Sequence, residues 1–372
     1  VFARTLGDTS DIVTKEMYTF EDKGGDRITL RPEGTAGVAR AFISEGLAQN
    51  LPLKLFYRGP MFRYERPQAG RYRQFSQFGV EVFGSQDPAL DAELIYMPIH
   101  VYEELGLQGF EVHINSLGCP VCRPQYRTVL RDFLEQKKEQ LCSNCRSRLD
   151  RNPMRVLDCK VPQCQEASKE APGLLDHLCS ECGEHFHALQ EYLAVLALKT
   201  VINPRLVRGF DYYTKTVFEI KVPALGAQDA IGGGGRYDGL VEEIGGPSIP
   251  GVGFAVGMER VLLALEQQQA SSSPEPAMDG FIAQFGGDTK KKAFALMQQL
   301  RRRGLAVEMD YMGRSLKGQM KAAHRGRVRF VLLLGEEELA AGRVTLRWMD
   351  SSEEELVPLE KVVDHLGTVI RT

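Results

Sequence analysis

Phe56-Tyr57-Arg58-Gly59-Pro60-Met61-Phe62-Arg63-Tyr64-Glu65-Arg66-Pro67-Gln68-Ala69-Gly70-Arg71-Tyr72-Arg73-Gln74-Phe75 reads as two strands joined by a loop that carries Arg66, Gln68 and Arg71, with Pro and Gly to shape it. Six bases and one acid stand between Lys54 and Arg73. Guanidinium groups offer planar paired donors that match phosphate oxygens, so Arg63, placed in a strand and facing a sheet surface, makes a fixed phosphate clamp. A buried Arg–Glu pair is the structural alternative. In the continuation, strand alternation puts Phe75, Gln77, Gly79 and Glu81 on one face and Phe78, Val80 and Val82 on the other. The second face is core. The first offers an aromatic plate, an amide, bare backbone and a carboxylate, a row suited to an aromatic ring plus a cationic or hydrogen-bonding small molecule. The plainer alternative is a half-exposed polar face with an incidental glycine, a residue depleted in strands.

Working outward, Tyr18-Thr19-Phe20 and Ile28-Thr29-Leu30 flank the turn signal Lys23-Gly24-Gly25-Asp26, which predicts a hairpin. Arg31-Pro32-Glu33-Gly34-Thr35 then makes a strand-to-helix turn exposing Glu33 and Thr35, with Thr35 as the expected N-cap of a helix over Ala36 to Ser44. Gly-punctuated runs of β-branched and aromatic residues recur over 1–115 and 200–268, the texture of one antiparallel sheet interrupted by a module. That module, 116–199, holds all eight cysteines and charge-rich helical stretches. Residues 269–277 have no apolar period and read as a linker. From 278 to 372 strands alternate with helices, the pattern of a mostly parallel α/β sheet. Within it, residues 290–329 hold twelve Lys/Arg against Glu308 and Asp310, which suggests a polyanionic partner or, more plainly, solvated helix faces.

The whole chain has 372 residues, 46 Lys+Arg against 49 Asp+Glu and 43% apolar residues. Such a balance fits two or three globular domains and argues against a protein that coats nucleic acid non-specifically. No run of about 18 apolar residues exists to span a bilayer. The start, Val1-Phe2-Ala3-Arg4, lacks both an initiator Met and a signal-peptide layout, so the chain is expected to be cytoplasmic and to have lost its true beginning.

Gly232-Gly233-Gly234-Gly235 is neither a Walker loop nor a dinucleotide fingerprint; it says only that a ligand or a second backbone comes close. Gly251 to Gly257 reads as a tightly packed strand feeding a helix from Met258 to Leu265, with Arg260 in its first turn. Helix N-termini attract anions, so an arginine there is misplaced unless a phosphate sits beside it. The cysteines fall in four pairs, Cys119/Cys122, Cys142/Cys145, Cys159/Cys164 and Cys179/Cys182. With no secretory signal, such pairs favour two four-sulfur structural Zn²⁺ sites over free thiols or disulfides, and spacing does not say which pair joins which. His177, His185 and His187 lie nearby and read as surface residues.

These residues resemble a known family. Phe56 to Gly84 resembles motif 2 of the class II aminoacyl-tRNA synthetases, and Gly251 to Leu265 their motif 3. Leu30-Arg31-Pro32-Glu33-Gly34-Thr35-Ala36 and Leu206-Val207-Arg208-Gly209-Phe210-Asp211-Tyr212-Tyr213-Thr214 are similar to the two histidine-specific motifs of the histidyl-tRNA synthetases. Val307 to Tyr311 and Gly313 to Lys317 resemble that family's anticodon-binding domain. The resemblance implies an α+β fold, with a class II antiparallel sheet and flanking helices, a helical Cys-rich insertion, and a C-terminal α/β anticodon-binding domain. It implies ATP as substrate with Mg²⁺, L-histidine and tRNA(His) as partners, and a homodimer when the N-terminus is complete, because motif 1, the family's dimer-building helix and strand, falls before Val1.

Position by position, the resemblance puts Arg63 on the α-phosphate, Arg260 on the γ-phosphate, Phe75 on adenine and Glu65 near its amino group. Glu33, Thr35 and Gln77 fall around the α-ammonium of histidine, with Glu81, Tyr212 and Tyr213 towards the imidazole. Arg208 falls beside the carboxylate and α-phosphate, and Arg66 and Gln68 face the tRNA acceptor end. Phe210 departs from the family's usual Leu, an apolar exchange that a repacked site tolerates. The implied chemistry is in-line attack of the histidine carboxylate on ATP, loss of pyrophosphate, and transfer to a ribose hydroxyl. Two other functions compete: a non-catalytic paralogue that regulates ATP phosphoribosyltransferase, and a tRNA-sensing regulatory module. The first lacks an anticodon domain and the second loses the phosphate clamps.

Overall fold

The computed structural model describes residues 2–5, 12–65, 68–268 and 278–369. The linker at 269–277 and Arg66 lie outside these residues. The chain divides into two compact units, Val1–Ala270 and Ser271–Thr372.

In the first unit, β1 (Thr19–Glu21) and β2 (Arg27–Thr29) pair as the expected hairpin. The main sheet contains β3 (Leu53–Phe62), β4 (Gln74–Phe83), β5 (Glu111–Ser116), β6 (Thr200–Ile202), β7 (Thr214–Lys221), β8 (Ala230–Arg236) and β9 (Gly251–Gly257). Their order is β3-β4-β9-β8-β7-β5-β6, antiparallel throughout except for the edge pair β5 and β6, which is parallel. That exception follows from what lies between these two strands. The excursion from Leu117 to Lys199 is long enough to bring the chain back in the same direction, which no tight turn can do. The excursion is helical, with helices at Cys122–Glu135, Ser143–Arg151, Pro162–Ala167 and Ser180–Val195.

Two apolar layers sandwich the sheet. On one face the helices Pro88–Glu104 and Ser180–Val195 bury Leu94, Ile95, Ile99 and Leu189 against Phe218, Ile220 and Val256. On the other, Phe42 from the helix Thr35–Ser44 and Tyr126 and Leu130 from the excursion share a core with Phe83, Tyr213 and Tyr237. Strand period explains the division: Val82 and its alternates face the first layer, while the opposite residues of β4 face the second.

Inside the first layer lies a buried charge. Asp91 accepts hydrogen bonds from Arg236 Nε at 3.0 Å and Thr216 Oγ1 at 2.6 Å, and its Oδ2 lies 2.8 Å from His185 Nε2. The Arg236 guanidinium also donates to the Ser85 carbonyl at 2.7 Å. With Asp91 and Arg236 both fully buried, removing either partner would strand the other in low dielectric, a loss of about 3–5 kcal/mol.

The glycine run is accounted for by backbone. In β8, Gly234 opposes Phe254 of β9, and a Cβ there would overlap the Gly253 carbonyl. Gly234→Ala is therefore expected to lower the urea midpoint at unchanged slope, by about 1–3 kcal/mol or more.

The second unit has sheet order β11-β10-β12-β13-β14, with β10 (Gly280–Gln284), β11 (Val307–Met309), β12 (Phe330–Leu334), β13 (Arg343–Trp348) and β14 (Glu354–Pro358). The first three are parallel and the last two antiparallel. Helices Thr289–Arg302, Leu316–Arg325 and Val362–Val369 cover it, so the parallel part is narrower than sequence alternation suggests. Among the described residues, five of the twelve basic residues between 290 and 329 answer acids of their own unit: Lys291 with Asp288, Arg301 with Glu308, Arg303 with Asp364, Arg314 with Asp310, and Arg329 with Asp279. The rest of that stretch keeps its excess of positive charge.

Candidate active site

A cavity of about 580 Å³ opens over β4, β8 and β9. It is lined by Arg63, Arg208 and Arg260, together with Glu33, Thr35, Glu65, Phe75, Gln77, Tyr212 and Tyr213. Residues from four separated stretches of sequence thus meet in one place.

Arg63 is the first residue beyond β3 rather than within it, its amide bonded to the Arg73 carbonyl at 2.9 Å. Its Nε donates to the Pro32 carbonyl at 2.8 Å, and its guanidinium lies 5.3 Å from the Phe75 ring centre and 5.8 Å from that of Phe210. Arg208 donates to Glu219 at 2.9 Å. Arg260, in the first turn of the helix Met258–Gln267, donates to the carbonyls of Gly70 at 3.2 Å and Ala230 at 2.6 Å. Burial, with the charge of Arg208 adding to it, pushes Arg63 below the ordinary arginine value; burial and the charges of Arg71 and Arg63 do the same to Arg260. Cations that depress one another inside a cleft favour an anion among them.

The acidic end is built differently. Glu33 is buried, not exposed, and it rather than Thr35 caps the helix: its carboxylate accepts from the amides of Thr35 at 2.6 Å and Ala36 at 2.9 Å. A carboxylate there satisfies two orphan N–H groups and meets the positive end of the helix. Thr35 is thereby released to donate its hydroxyl to Glu81 at 2.7 Å. Tyr237 donates to the other Glu81 oxygen. Gly253 is what admits this carboxylate, since a Cβ on it would strike Glu81. Glu81 is 1% exposed, and burial, against the pull of those two hydrogen bonds, pushes it up to about 8. Tyr57 Oη, Gln77 Oε1, Tyr212 Oη and Arg208 Nε are buried, line the same cavity and have no hydrogen-bond partner among the described residues. Four unpaired polar atoms around one volume mark where a polar ligand belongs.

Glu65 is paired with Arg71. Gln68 lies outside the cavity, exposed at the turn of the β3–β4 loop, where its backbone pairs with that of Arg71. Tyr57, Tyr237 and Glu219 were not singled out from the sequence. Tyr57 had a readable signal: it stands directly opposite Gly79, where a ring can lie over bare backbone.

The eight cysteines are free thiols and form two quartets, Cys119/Cys122/Cys179/Cys182 and Cys142/Cys145/Cys159/Cys164, with all four sulfurs of each within 4.8 Å of one another. Either quartet could hold a metal. Of the nearby histidines, His185 faces Asp91 and His187 lies against Glu191, and neither belongs to a quartet.

Residues 1–261 match the family described as histidyl-tRNA synthetase, and residues 281–368 the anticodon binding domain. The histidine–tRNA ligase of Moorella thermoacetica is 55% identical over 366 residues, covering 98% of this chain and 86% of that one. The structure of apo S. aureus histidyl-tRNA synthetase superposes with a TM-score of 0.79 at 39% identity, over 96% of this chain and 88% of that one. A Bacillus halodurans chain described as an ATP phosphoribosyltransferase regulatory subunit/histidyl-tRNA synthetase matches with a TM-score of 0.57 at 23% identity, over 90% of this chain and 86% of that one, a likeness of fold alone. An antiparallel sheet flooring an arginine-lined cleft, carried with an anticodon-binding unit, defines a class II aminoacyl-tRNA synthetase. Among these enzymes the chain belongs to the histidyl-tRNA synthetase family. Among the described residues no helix is long and apolar enough to cross a membrane.

Proposed function

We propose that this cavity binds ATP and L-histidine side by side, joins them as histidyl-adenylate, and passes the histidyl group to the terminal ribose of tRNA(His). The observation that carries this is the meeting of three arginines with buried Glu33 and Thr35 in one volume, with Glu81 directly behind Thr35. The carboxylate of histidine attacks the α-phosphorus in line, pyrophosphate leaves, and no protein nucleophile is needed. The protein's share is positioning and the neutralisation of developing charge.

Arg63 meets the α-phosphate, Arg260 the γ-phosphate, and Arg208 lies between the histidine carboxylate and the α-phosphate. Phe75 supports adenine; Glu65, whose carboxylate has acceptor sites beyond those Arg71 uses, reaches its amino group. Glu33, Thr35 and Gln77 receive the ammonium. Glu81 reads the imidazole, with Tyr212 and Tyr213 as walls. Gln68 and the loop around it face the acceptor end of the tRNA, and the basic surface of the second unit faces the anticodon region. The enzyme acts in the cytoplasm as a homodimer.

Magnesium fits as a companion of the nucleotide. The cavity carboxylates Glu219, Asp229 and Glu259 already answer Arg208, Lys221 and the Ser76 amide, so they form no dedicated oxygen cage; the phosphates supply the remaining ligands. When bound, Mg²⁺ neutralises phosphate charge. Each cysteine quartet suits Zn²⁺, a closed four-sulfur shell that supplies structure rather than chemistry.

The test is exchange of label between pyrophosphate and ATP. Exchange that depends on histidine and is not supported by other amino acids is expected, followed by acylation of tRNA(His). A chain that exchanges nothing with histidine present would instead fit the regulatory alternative.

A further inference from the structure

The two cysteine quartets are not equivalent. Cys119, Cys122, Cys179 and Cys182 sit where the helical excursion leaves the sheet and where its last helix begins, and none of them lines the catalytic cavity. Cys142 and Cys159 do line it. Their quartet gathers the helix Ser143–Arg151, the turn after it and the helix Pro162–Ala167, and Cys142 N also donates to Cys164 Sγ at 3.1 Å.

Distances favour a metal. Cys142 Sγ and Cys159 Sγ are 4.0 Å apart, and in the other quartet Cys119 Sγ lies 3.6 Å from Cys122 Sγ and 3.9 Å from Cys179 Sγ. A tetrahedron with Zn–S of about 2.3 Å has sulfurs about 3.8 Å apart, whereas a disulfide needs about 2.05 Å. Four thiols alone hold each other weakly, because S–H is a poor donor.

What the second quartet closes is the loop from Asn152 to Asp158, and this loop reaches the histidine motif twice. Asn152 Nδ2 donates to Asp211 at 3.0 Å, and Arg155 donates to the backbone carbonyl of Arg208 at 2.8 Å. The side chain of Arg208 is turned the other way, onto Glu219. Its position is therefore set from behind by a loop that the sulfurs tie off.

We propose that Cys142, Cys145, Cys159 and Cys164 bind a zinc ion that serves as a positioning element of the catalytic cavity, acting through Arg155 to hold Arg208 in place. This rests on the role of Arg208 given above. Arg155 is a positioning residue in this account: it lines the cavity, but its guanidinium is committed to the Arg208 carbonyl and lies beside Asp158, and the metal-tied loop fixes where its donor lies. The remaining quartet binds a second zinc ion that closes the neck of the excursion.

Metal analysis and exchange kinetics on the full chain test this together. The wild-type chain, purified from zinc-supplemented cells, is expected to carry about two Zn²⁺, and the Co²⁺-loaded chain to show thiolate-to-cobalt absorption that Cys159→Ser reduces by about half. Arg155→Ala is expected to keep both metals and to lower kcat of exchange about 10- to 100-fold with little change in KM for ATP, as misplacement of a charge-stabilising group does. Cys159→Ser should share that kinetic defect, and Arg155→Lys should restore part of the rate. Fewer than two metals per wild-type chain, or a normal kcat for Arg155→Ala with both metals present, would overturn the proposal. If Cys159→Ser does not fold, Arg155→Ala and its metal count still decide. Absence of exchange in the wild-type chain would count against adenylate formation, and the metal count would remain readable on its own.

Discussion

Arg63→Ala is expected to reduce histidine-dependent pyrophosphate exchange by about 10²- to 10³-fold, mostly in kcat. The guanidinium is held on three sides, by the Pro32 carbonyl and by the rings of Phe75 and Phe210, so it does not have to be collected from solvent when charge develops on phosphorus. A donor fixed in advance stabilises the transition state more than the ground state, which places its loss in kcat rather than KM. Lysine at 63 should rescue little, since a point charge lacks the planar fork that fits both the carbonyl and a phosphate oxygen. A variant within about threefold of wild type would remove Arg63 from the chemistry.

Glu81→Gln has two expected effects. It should raise KM for histidine and lower kcat/KM about 10- to 100-fold, because a carboxyl that can exchange a proton with its partner is replaced by an amide that cannot. It should also change how stability depends on pH. The carboxyl sits at about 8 in the folded chain against an ordinary 4.5, raised chiefly by burial. Between those two values the folded chain holds a proton that the unfolded chain has released, so stability falls as pH rises through that window and levels off above it. Glutamine has no proton to lose. Thermal unfolding of the ligand-free chain at pH 5 and pH 8 should therefore differ less for the variant than for wild type, and an equal pH dependence in both would contradict the buried, protonated carboxyl.

Much of the site was legible because strand period and turn chemistry are local rules. The alternation put Phe75, Gln77, Gly79 and Glu81 on one face of β4, and of these Phe75 and Gln77 line the cavity while Glu81 lies behind Thr35. The clustering of Arg63, Arg208 and Arg260 was reached through family motifs, since no local rule links residues so far apart in sequence. The misreadings are equally physical. Thr35 looked like a cap by residue type, but a buried carboxylate two residues earlier competes better for the helix amides. Tyr237 gave no signal, because its role depends on Glu81, which lies 156 residues away. Cysteine pairing was hidden for the same reason: the outer two pairs join each other and the inner two join each other, a nesting set by how the excursion folds back. In the second unit the mostly parallel reading was too broad: β13 and β14 pair antiparallel, and β14 opens with Glu354 and Glu355, acids that disguise an edge strand.

The buried Asp91 has a bearing on how the excursion can move. Its partners come from β7, β8 and, through His185, from the helix Ser180–Val195. Drawing that helix off the sheet would expose a carboxylate that three groups now satisfy. That cost pins the helix Ser180–Val195 to the sheet, and with it Cys182, so the sulfur quartet at the neck of the excursion has one member on an anchored element.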